Sequence, residues 1–178
     1  IEANLIKQKE NIGKMNTENI LINDVIEQLK KFSEDILLWK MPISAQKILD
    51  FENKFRIKLP SEFVTLLKQT NGFSLMGFEI IGFAILDNEY GLEETYRFEH
   101  FDIDNLMPSY LIPFSPDGYG NHYCFDVKNH NIVFWEHDVV YIENEPIVIC
   151  ESLACFIQEC IIDEILKDYD YAGNDISN

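Results

Sequence analysis

The stretch LIPFSPDGYGNHYCFDVKNHNIVFWEH, residues 111–137, decides the fold of this chain. Its apolar runs are short and rich in β-branched and aromatic residues, and turn-forming residues separate them, which is typical of neighbouring antiparallel strands. The link Lys128-Asn129-His130-Asn131 fits a tight hairpin turn, because Asn tolerates a positive φ. The strands predicted here and just beyond are Leu111–Phe114, His122–Val127, Ile132–His137 and Ile147–Cys150.

Outside this stretch the apolar period is helical at both ends of the chain. From a cap at Thr17, apolar residues recur at helical spacing until Met41-Pro42 stops the run. The run Phe78–Leu86 predicts a further strand. Three more helix starts are marked by Ser44, Pro60-Ser61 and Ser152. Together these elements predict an α+β domain, with a mainly antiparallel (mixed) sheet flanked by N- and C-terminal helices.

The length and composition favour one globular domain. A chain of 178 residues that is 47% hydrophobic has apolar material for one sizeable core. Its apolar runs are far shorter than the roughly 20 residues that cross a bilayer, and its start shows no secretory signal. We therefore expect a cytoplasmic protein with no membrane partner.

The charge is distributed very unevenly along the chain. Residues 1–58 carry ten Lys/Arg and nine Asp/Glu, whereas residues 59–178 carry four and twenty-two, which gives +1 and −18 and the total of −17. Such an acidic body repels phosphate backbones and anionic lipid and attracts basic proteins. This indicates a cationic protein partner and no nucleic acid. The alternative is that the acidic residues only keep the protein soluble.

The cysteines Cys124, Cys150, Cys155 and Cys160 contain no C-x-x-C pair and lie in apolar stretches. We therefore expect buried free thiols, not zinc ligands or disulfides, in a reducing compartment.

Four polar residues are the best candidates for a metal or acid–base site: His122, Asp126, His137 and Asp138. Strand alternation could bring some of them to one sheet face. Polar strand faces commonly hold such residues, however, and no metal-binding spacing is present. The sequence therefore predicts no metal, no cofactor and no catalytic residue.

Two other patterns that could carry chemistry are better explained by structure. The glycine-rich loop 117–121 precedes a strand and lacks a Lys, whereas a phosphate loop precedes a helix. The paired carboxylates are typical of solvated acidic faces, and no serine lies in a nucleophile motif.

The segment 87–104 interleaves acidic and aromatic residues, and Arg97 is its one cation. Aromatic anchors among carboxylates suit a surface that binds a basic partner, because charge speeds encounter and desolvated rings supply most of the binding energy. The alternative places Phe98 and Phe101 in the core and leaves the carboxylates in water. The predicted partner-binding residues, here and in the acidic loops farther along, are Asp87, Glu89, Tyr90, Glu93, Glu94, Tyr96, Asp117, Tyr119, Glu136 and Asp138.

A set of short motifs occurs in a characteristic order. They are Glu52, Leu59-Pro60-Ser61-Glu62-Phe63, Leu66-Leu67, Asn71-Gly72, Ile112-Pro113-Phe114, Asp117-Gly118-x-Gly120-Asn121, Tyr123-Cys124, Asp126, Ile132-Val133 and Glu136-His137-Asp138. In this order and spacing, from about Ser44 to Leu166, the chain resembles the SUKH superfamily. More closely, it is similar to the subgroup related to the fungal Smi/Knr cell-wall regulators.

The resemblance implies a mixed sheet with flanking helices. For bacterial members it implies an immunity protein that binds and blocks a polymorphic toxin, often a nuclease, and it transfers no catalytic residue. The division that follows is a lead-in (1–16), an N-terminal helix extension (17–41), a SUKH-like domain (42–169) and a loose acidic tail (170–178).

Three functions from different classes remain open. The first is a non-enzymatic immunity protein, a monomer or weak homodimer, whose acidic surface occludes a cognate basic toxin, with a nuclease favoured. The second is a regulatory scaffold for endogenous partners. The third is a small hydrolase using His122, Asp126 and His137, although nothing in the chain groups a nucleophile, a base and an oxyanion donor.

Overall fold

The computed structural model describes residues 20–86, 89–141 and 145–177. The first part of the chain forms α1 (Ile22–Leu29), β1 (Leu37–Trp39), α2 (Ala45–Phe55), α3 (Ser61–Leu67), β2 (Phe73–Leu75) and β3 (Phe78–Ile80). Helix α4, residues 92–102, passes from α-helical turns (Leu92–Arg97) into π-helical turns (Phe98–Asp102). The strands β4 (Leu111–Pro116), β5 (His122–Asp126), β6 (Ile132–Trp135) and β7 (Ile147–Cys150) follow. Helix α5, residues 153–168, closes the fold, with π-helical turns (Phe156–Ile162) between Leu153–Cys155 and Asp163–Asp168.

The described strands form two antiparallel sheets, in the orders β1-β2-β3 and β4-β5-β6-β7. The sheets meet at β3 and β4, where the Ile81 N–H donates to the Phe114 carbonyl at 2.8 Å and the Ser115 hydroxyl donates to the Glu79 carbonyl at 2.6 Å. The predicted α+β class is confirmed. The sequence predicted one sheet, and the structure has two that abut.

The main core lies between the sheets and the helices. The ring of Phe114 is 4.2 Å from that of Phe125 and 5.3 Å from that of Phe156, so β4, β5 and α5 share one aromatic centre. Val25 and Leu29 of α1 are fully buried in the same core. Burying an aliphatic or Phe side chain contributes about 1.5–3 kcal/mol, so these contacts supply much of the stability.

The predicted starts of α2, α3 and α5 are confirmed, and so is the end of α2 near Arg56. The Ser44 hydroxyl accepts from the Lys47 N–H at 3.2 Å, and the Ser152 hydroxyl accepts from the Cys155 N–H at 3.1 Å. Pro60 directly precedes α3, where its missing N–H costs no helical hydrogen bond. Arg56 ends α2 in the left-handed conformation, with φ 54°.

The predicted N-terminal helix ends earlier than the sequence indicated, and its predicted cap at Thr17 lies outside the described residues. Helix α1 ends at Leu29, and Leu37–Trp39 is a strand that pairs with Phe73–Leu75. The helical prediction to Met41 was therefore wrong from residue 30 onward. Backbone pairing with β2 explains the difference. An apolar run of three residues is compatible with a helix or with a strand, and the presence of a partner strand decides between them.

The apolar run Phe78–Leu86 is likewise a strand only at its start. β3 ends at Ile80, and β2 lies before it across a tight turn in which Met76 (φ 46°) and Gly77 (φ 94°) are left-handed. The expected positive φ at Asn71-Gly72 is found at Gly72, at 81°. This glycine leads into β2, five residues beyond the end of α3, instead of closing the helix directly.

The hairpin between β5 and β6 is confirmed, but its left-handed residue is His130 (φ 61°) and not an Asn. The Asp126 carboxylate accepts from the N–H groups of Lys128 (2.8 Å) and Asn129 (3.2 Å), which fixes the first half of the turn. The positive φ therefore falls at the third turn residue.

The C-terminal segment is held in place up to residue 177. The Ser33 N–H donates to the Tyr171 carbonyl at 2.8 Å, and the Tyr171 ring lies 4.8 Å from that of Phe32. The Asp170 carboxylate caps a turn by accepting from the Ala172 N–H at 2.9 Å. The expectation of a loose tail is wrong for these residues, since they pack on the chain that follows α1.

Candidate protein-binding surface

The predicted contact residues on α4 are largely engaged inside the molecule. The Tyr96 ring is 4% exposed and lies 5.6 Å from the Phe51 ring and 4.8 Å from that of Phe55. Tyr96 is therefore a core residue. Phe98 and Phe101 are 39% and 63% exposed, so the alternative that placed both in the core is not what the fold shows.

The two acidic residues in the first turn of α4 both have partners. The Glu93 carboxylate lies 2.7 Å from Lys54 Nζ and 3.4 Å from Lys47 Nζ. The hydrogen bond from Lys54 holds the pKa of Glu93 below its ordinary value. The Glu94 carboxylate accepts from the Gly91 N–H at 3.2 Å and caps α4. Helix α2 thus neutralises part of the acidic half of the chain.

A groove of about 460 Å³ lies where the chain leaves β1 and β3. Three large side chains on its lining are unusually exposed: Met41 at 77%, Ile85 at 62% and Tyr90 at 72%. Two carboxylates and one amine complete what we call the Tyr90 groove, which is defined by Lys40, Met41, Glu79, Ile85, Glu89 and Tyr90.

The loop that carries Ile85 and Tyr90 is shaped by Glu89. Its carboxylate accepts from the N–H groups of Ile85 at 2.9 Å and Leu86 at 3.2 Å, and these bonds lower the pKa of Glu89. These bonds hold the Glu89 carboxylate against the backbone of Ile85 and Leu86. Asp87, the neighbouring predicted contact, lies outside the described residues.

The floor of the Tyr90 groove is rigid because of a buried asparagine. Asn71, 1% exposed, donates from Nδ2 to the Phe83 carbonyl and accepts at Oδ1 from the Phe83 N–H, both at 2.7 Å. A Cβ on Gly82 would lie 2.2 Å from the Asn71 carbonyl oxygen, so only glycine fits there. The motif Asn71-Gly72 thereby positions the chain between β3 and α4.

The remaining predicted contacts lie on two loops that a shared asparagine ties together. The Asp117 carboxylate accepts from the N–H groups of Tyr119 (2.7 Å) and Asn121 (3.0 Å). Asn121 Oδ1 accepts from the His137 N–H at 3.2 Å. We call the outward part of these loops the loop patch, defined by Tyr119, Glu136, His137 and Asp138.

The loop patch is open to a partner. Tyr119 is 73% exposed, and the Asp138 side chain is 86% exposed, with its carboxylate 3.1 Å from His137 Nε2. Glu136 is half-buried, and its N–H donates to the Tyr141 hydroxyl at 3.1 Å. Asp117 itself is a turn residue, so its contribution to binding is to hold Tyr119 outward.

Of the four candidate metal or acid–base residues, His137 and Asp138 are in contact, and His122 and Asp126 each have other partners. His122 Nε2 is 3.0 Å from the buried Glu99 carboxylate, Asp126 caps the β5–β6 turn, and His137 bonds Asn121. His122 and Asp126 are four residues apart on one strand, about 13 Å along its axis. Each residue has its own partner, so this set forms no site.

Sequence reasoning missed Met41, Ile85 and Glu79 as parts of a surface. The two apolar residues belong to runs whose period predicts burial, and only the fold shows that these runs end at a groove. The position of Met41 at the break before Pro42 was the available signal.

The fold and these loops correspond to a known family. The model of the SMI1 / KNR4 family (SUKH-1) matches residues 42–159, and the chain belongs to this family. The match includes β2 to β7 and most of the Tyr90 groove, and it leaves out α1 and β1. It is a family of immunity and regulatory proteins whose members bind partner proteins.

Two individual comparisons agree with this assignment. The chain is 26% identical over 92 residues to the SPbeta prophage-derived uncharacterized protein YokK of Bacillus subtilis (strain 168), which is 50% of this chain and 48% of that protein. The chain therefore matches about half the length of this relative. A crystal structure of a protein from Pseudomonas syringae pv. tomato has the same fold, with a TM-score of 0.59, 20% identity and coverage of 77% of this chain and 96% of that one.

Within the described ranges, no helix has both the length and the apolar character needed to cross a bilayer.

Proposed function

We propose that this chain is an immunity protein that acts in the cytoplasm, binds a cognate basic toxin domain and blocks it by occlusion. A nuclease is the toxin class that fits best, because a nuclease needs a cationic surface to hold nucleic acid. The observation that carries the proposal is the Tyr90 groove, where exposed apolar and aromatic side chains lie among carboxylates. Family membership and the similarity to a prophage-derived protein are in keeping with it.

The energetics of such a contact favour the groove as its centre. Tyr is enriched among residues that dominate binding energy, because it buries a large rigid ring and keeps a polar tip. Tyr90, Met41 and Ile85 together present apolar surface that is exposed to solvent in the unbound protein. The rigid floor at Asn71 keeps the cost of ordering small when a partner docks.

The charge of the molecule would act mainly on the rate of encounter. The net charge of −17 attracts a basic domain from beyond contact distance, and salt screens this attraction. Glu89 and Glu79 are the carboxylates of the groove, and Glu136 and Asp138 are those of the loop patch. In this proposal Tyr119 makes a second aromatic contact, whereas Glu93, Glu94, Tyr96 and Asp117 support the surface from within.

Co-expression with the toxin encoded beside this gene tests the function. We expect the chain to restore growth and to form a complex that survives gel filtration. Tyr90→Ala should weaken the affinity by about 30-fold or more, which corresponds to the roughly 2 kcal/mol of a dominant contact. Asp138→Lys should slow association and reduce its dependence on salt.

The control is Asp168→Lys, which makes the same charge change on an exposed residue near the end of α5. It should leave affinity close to that of the unmodified chain. Normal binding by both Tyr90→Ala and Asp138→Lys would place the interface elsewhere. Failure to rescue growth, together with no complex, would refute the immunity function itself.

A further inference from the structure

Three of the four cysteines come together where β7 meets α5. Cys150 is the last residue of β7, Cys155 lies in the first turn of α5, and Cys160 is farther along that helix. The Sγ atoms of Cys150 and Cys160 are 3.8 Å apart. Cys155, Cys160 and Glu159 are half-buried, so solvent reaches the cluster from one side.

A carboxylate completes the group of donor atoms. One ligand atom each from Cys150, Cys155 and Glu159 lie within 4.8 Å of one another. Zinc binds thiolate sulfur at about 2.3 Å and carboxylate oxygen at about 2.0–2.2 Å, so sulfur ligands of a tetrahedral ion are about 3.8 Å apart. The donor atoms of Cys150, Cys155 and Glu159 lie within about 1 Å of that spacing, whereas Cys160 is outside this group.

The helical spacing of α5 explains why a sequence without C-x-x-C gathers these donors. Glu159 follows Cys155 by four residues, so the two lie on one face of α5, within and just before the π-helical turns Phe156–Ile162. Cys150, at the end of β7, lies beside this face of α5. Short π-helical segments are frequent at functional sites.

We propose that Cys150, Cys155 and Glu159 bind a zinc ion, with the fourth coordination position open to water. Thiolates select zinc over the hard cations that prefer oxygen ligands, and a single carboxylate is an ordinary zinc ligand. The ion would tie the end of β7 to the first turns of α5. Its effect on stability is independent of any partner protein.

The test uses the full chain without a His-tag, reduced and free of metal, titrated with Co²⁺ as a spectroscopic substitute for zinc. We expect one ion per chain, a thiolate-to-cobalt charge-transfer band, and displacement of that band by Zn²⁺. Zinc should also raise Tm, because it binds the folded state. It should protect Cys155 from alkylation.

Cys155→Ser and Glu159→Gln should each weaken zinc binding by about tenfold or more, since even loss of a supporting partner costs 10–100-fold. Both residues are half-buried, so these variants are expected to fold, and circular dichroism would verify it. The matched control is Cys124→Ser, whose thiol lies 4.0 Å from Met107 Sδ in a separate cluster and should leave zinc binding unchanged. A missing charge-transfer band, or equal affinity in Cys155→Ser and Cys124→Ser, would overturn the proposal.

Discussion

At the scale of single residues, His100 shows how burial sets a charge state. Its ring stacks 4.0 Å from that of Tyr96, and Nδ1 lies 2.8 Å from the Tyr96 carbonyl oxygen. Nε2 is buried with no hydrogen-bond partner among the described residues. Burial lowers the pKa of His100 below its ordinary value, and the neighbouring backbone groups and the charge of Glu99 only partly oppose this, so folding disfavours the protonated ring.

This predicts a stability that depends on pH through one residue. Because the pKa of His100 is lower in the folded state, the unfolded chain binds a proton that the folded chain does not. The contribution of the neutral His100 ring to the free energy of unfolding is complete well above pH 6.5. It is lost as the pH falls below 6.5, by at most about 1.4 kcal/mol per pH unit. Urea unfolding at pH 7.5 and 5.5 should show a smaller pH effect in His100→Phe than in the unmodified chain.

The control is His130→Asn, an exposed histidine replaced by a residue that accepts its positive φ. The carboxylates titrate in the unmodified chain and in both variants. The difference in pH dependence between His100→Phe and the other two proteins therefore reports on His100. Equal pH dependence in His100→Phe and the unmodified chain would contradict the assignment.

At the scale of elements, α3 caps α5 across 91 residues of sequence. The Glu62 carboxylate accepts from the N–H of Leu153 at 2.8 Å and from that of Ala154 at 3.3 Å, and the Ser152 hydroxyl accepts from Cys155. These acceptors satisfy N–H groups that a helix start leaves free, and the negative charge faces the positive end of the helix.

Removing this long-range cap should destabilise the fold. Glu62→Ala should lower the free energy of unfolding by about 1–2 kcal/mol, because two N–H groups lose their acceptor. Glu62→Gln keeps an acceptor oxygen and should lose less. Urea unfolding of the two variants distinguishes these effects, and equal stability of Glu62→Ala and the unmodified chain would refute the cap.

At the scale of the whole molecule, packing extends beyond the family match. The match begins at residue 42, where the sequence also placed the start of the domain. Yet Val25 and Leu29 of α1 are fully buried in the common core, and β1 pairs with β2. Gln28 of α1 also donates to Gln158 of α5 at 3.0 Å. In the structure, α1 and β1 are parts of the same folded body.

A chain that begins at residue 42 should therefore fold poorly or not at all. Its core would lose several side chains, each worth about 2–5 kcal/mol, which approaches the total stability of a domain. Thermal melting by circular dichroism should show a lower or absent transition. The control is Leu29→Ala in the full chain, which should remain folded at reduced Tm. An unchanged Tm in the shortened chain would show that α1 and β1 are dispensable.

The amino-acid sequence was enough to predict the α+β class, the starts of α2, α3 and α5, the β5–β6 hairpin and the acidic character. These features depend on local signals, namely caps, turn residues and apolar period, which act within a few residues. The same signals were ambiguous at Leu37–Trp39, because a short apolar run suits a helix or a strand until a partner strand is present.

Which side chains are exposed, buried or paired, by contrast, depends on tertiary packing. It placed Tyr96 in the core, paired Glu93 with two lysines and left Ile85 and Tyr90 exposed beside a groove. It also brought together Cys150, Cys155 and Glu159, whose spacing in the sequence does not indicate a metal site. The physical reason is that burial, ion pairing and donor geometry depend on residues far apart in the chain, so they exist only once the elements pack.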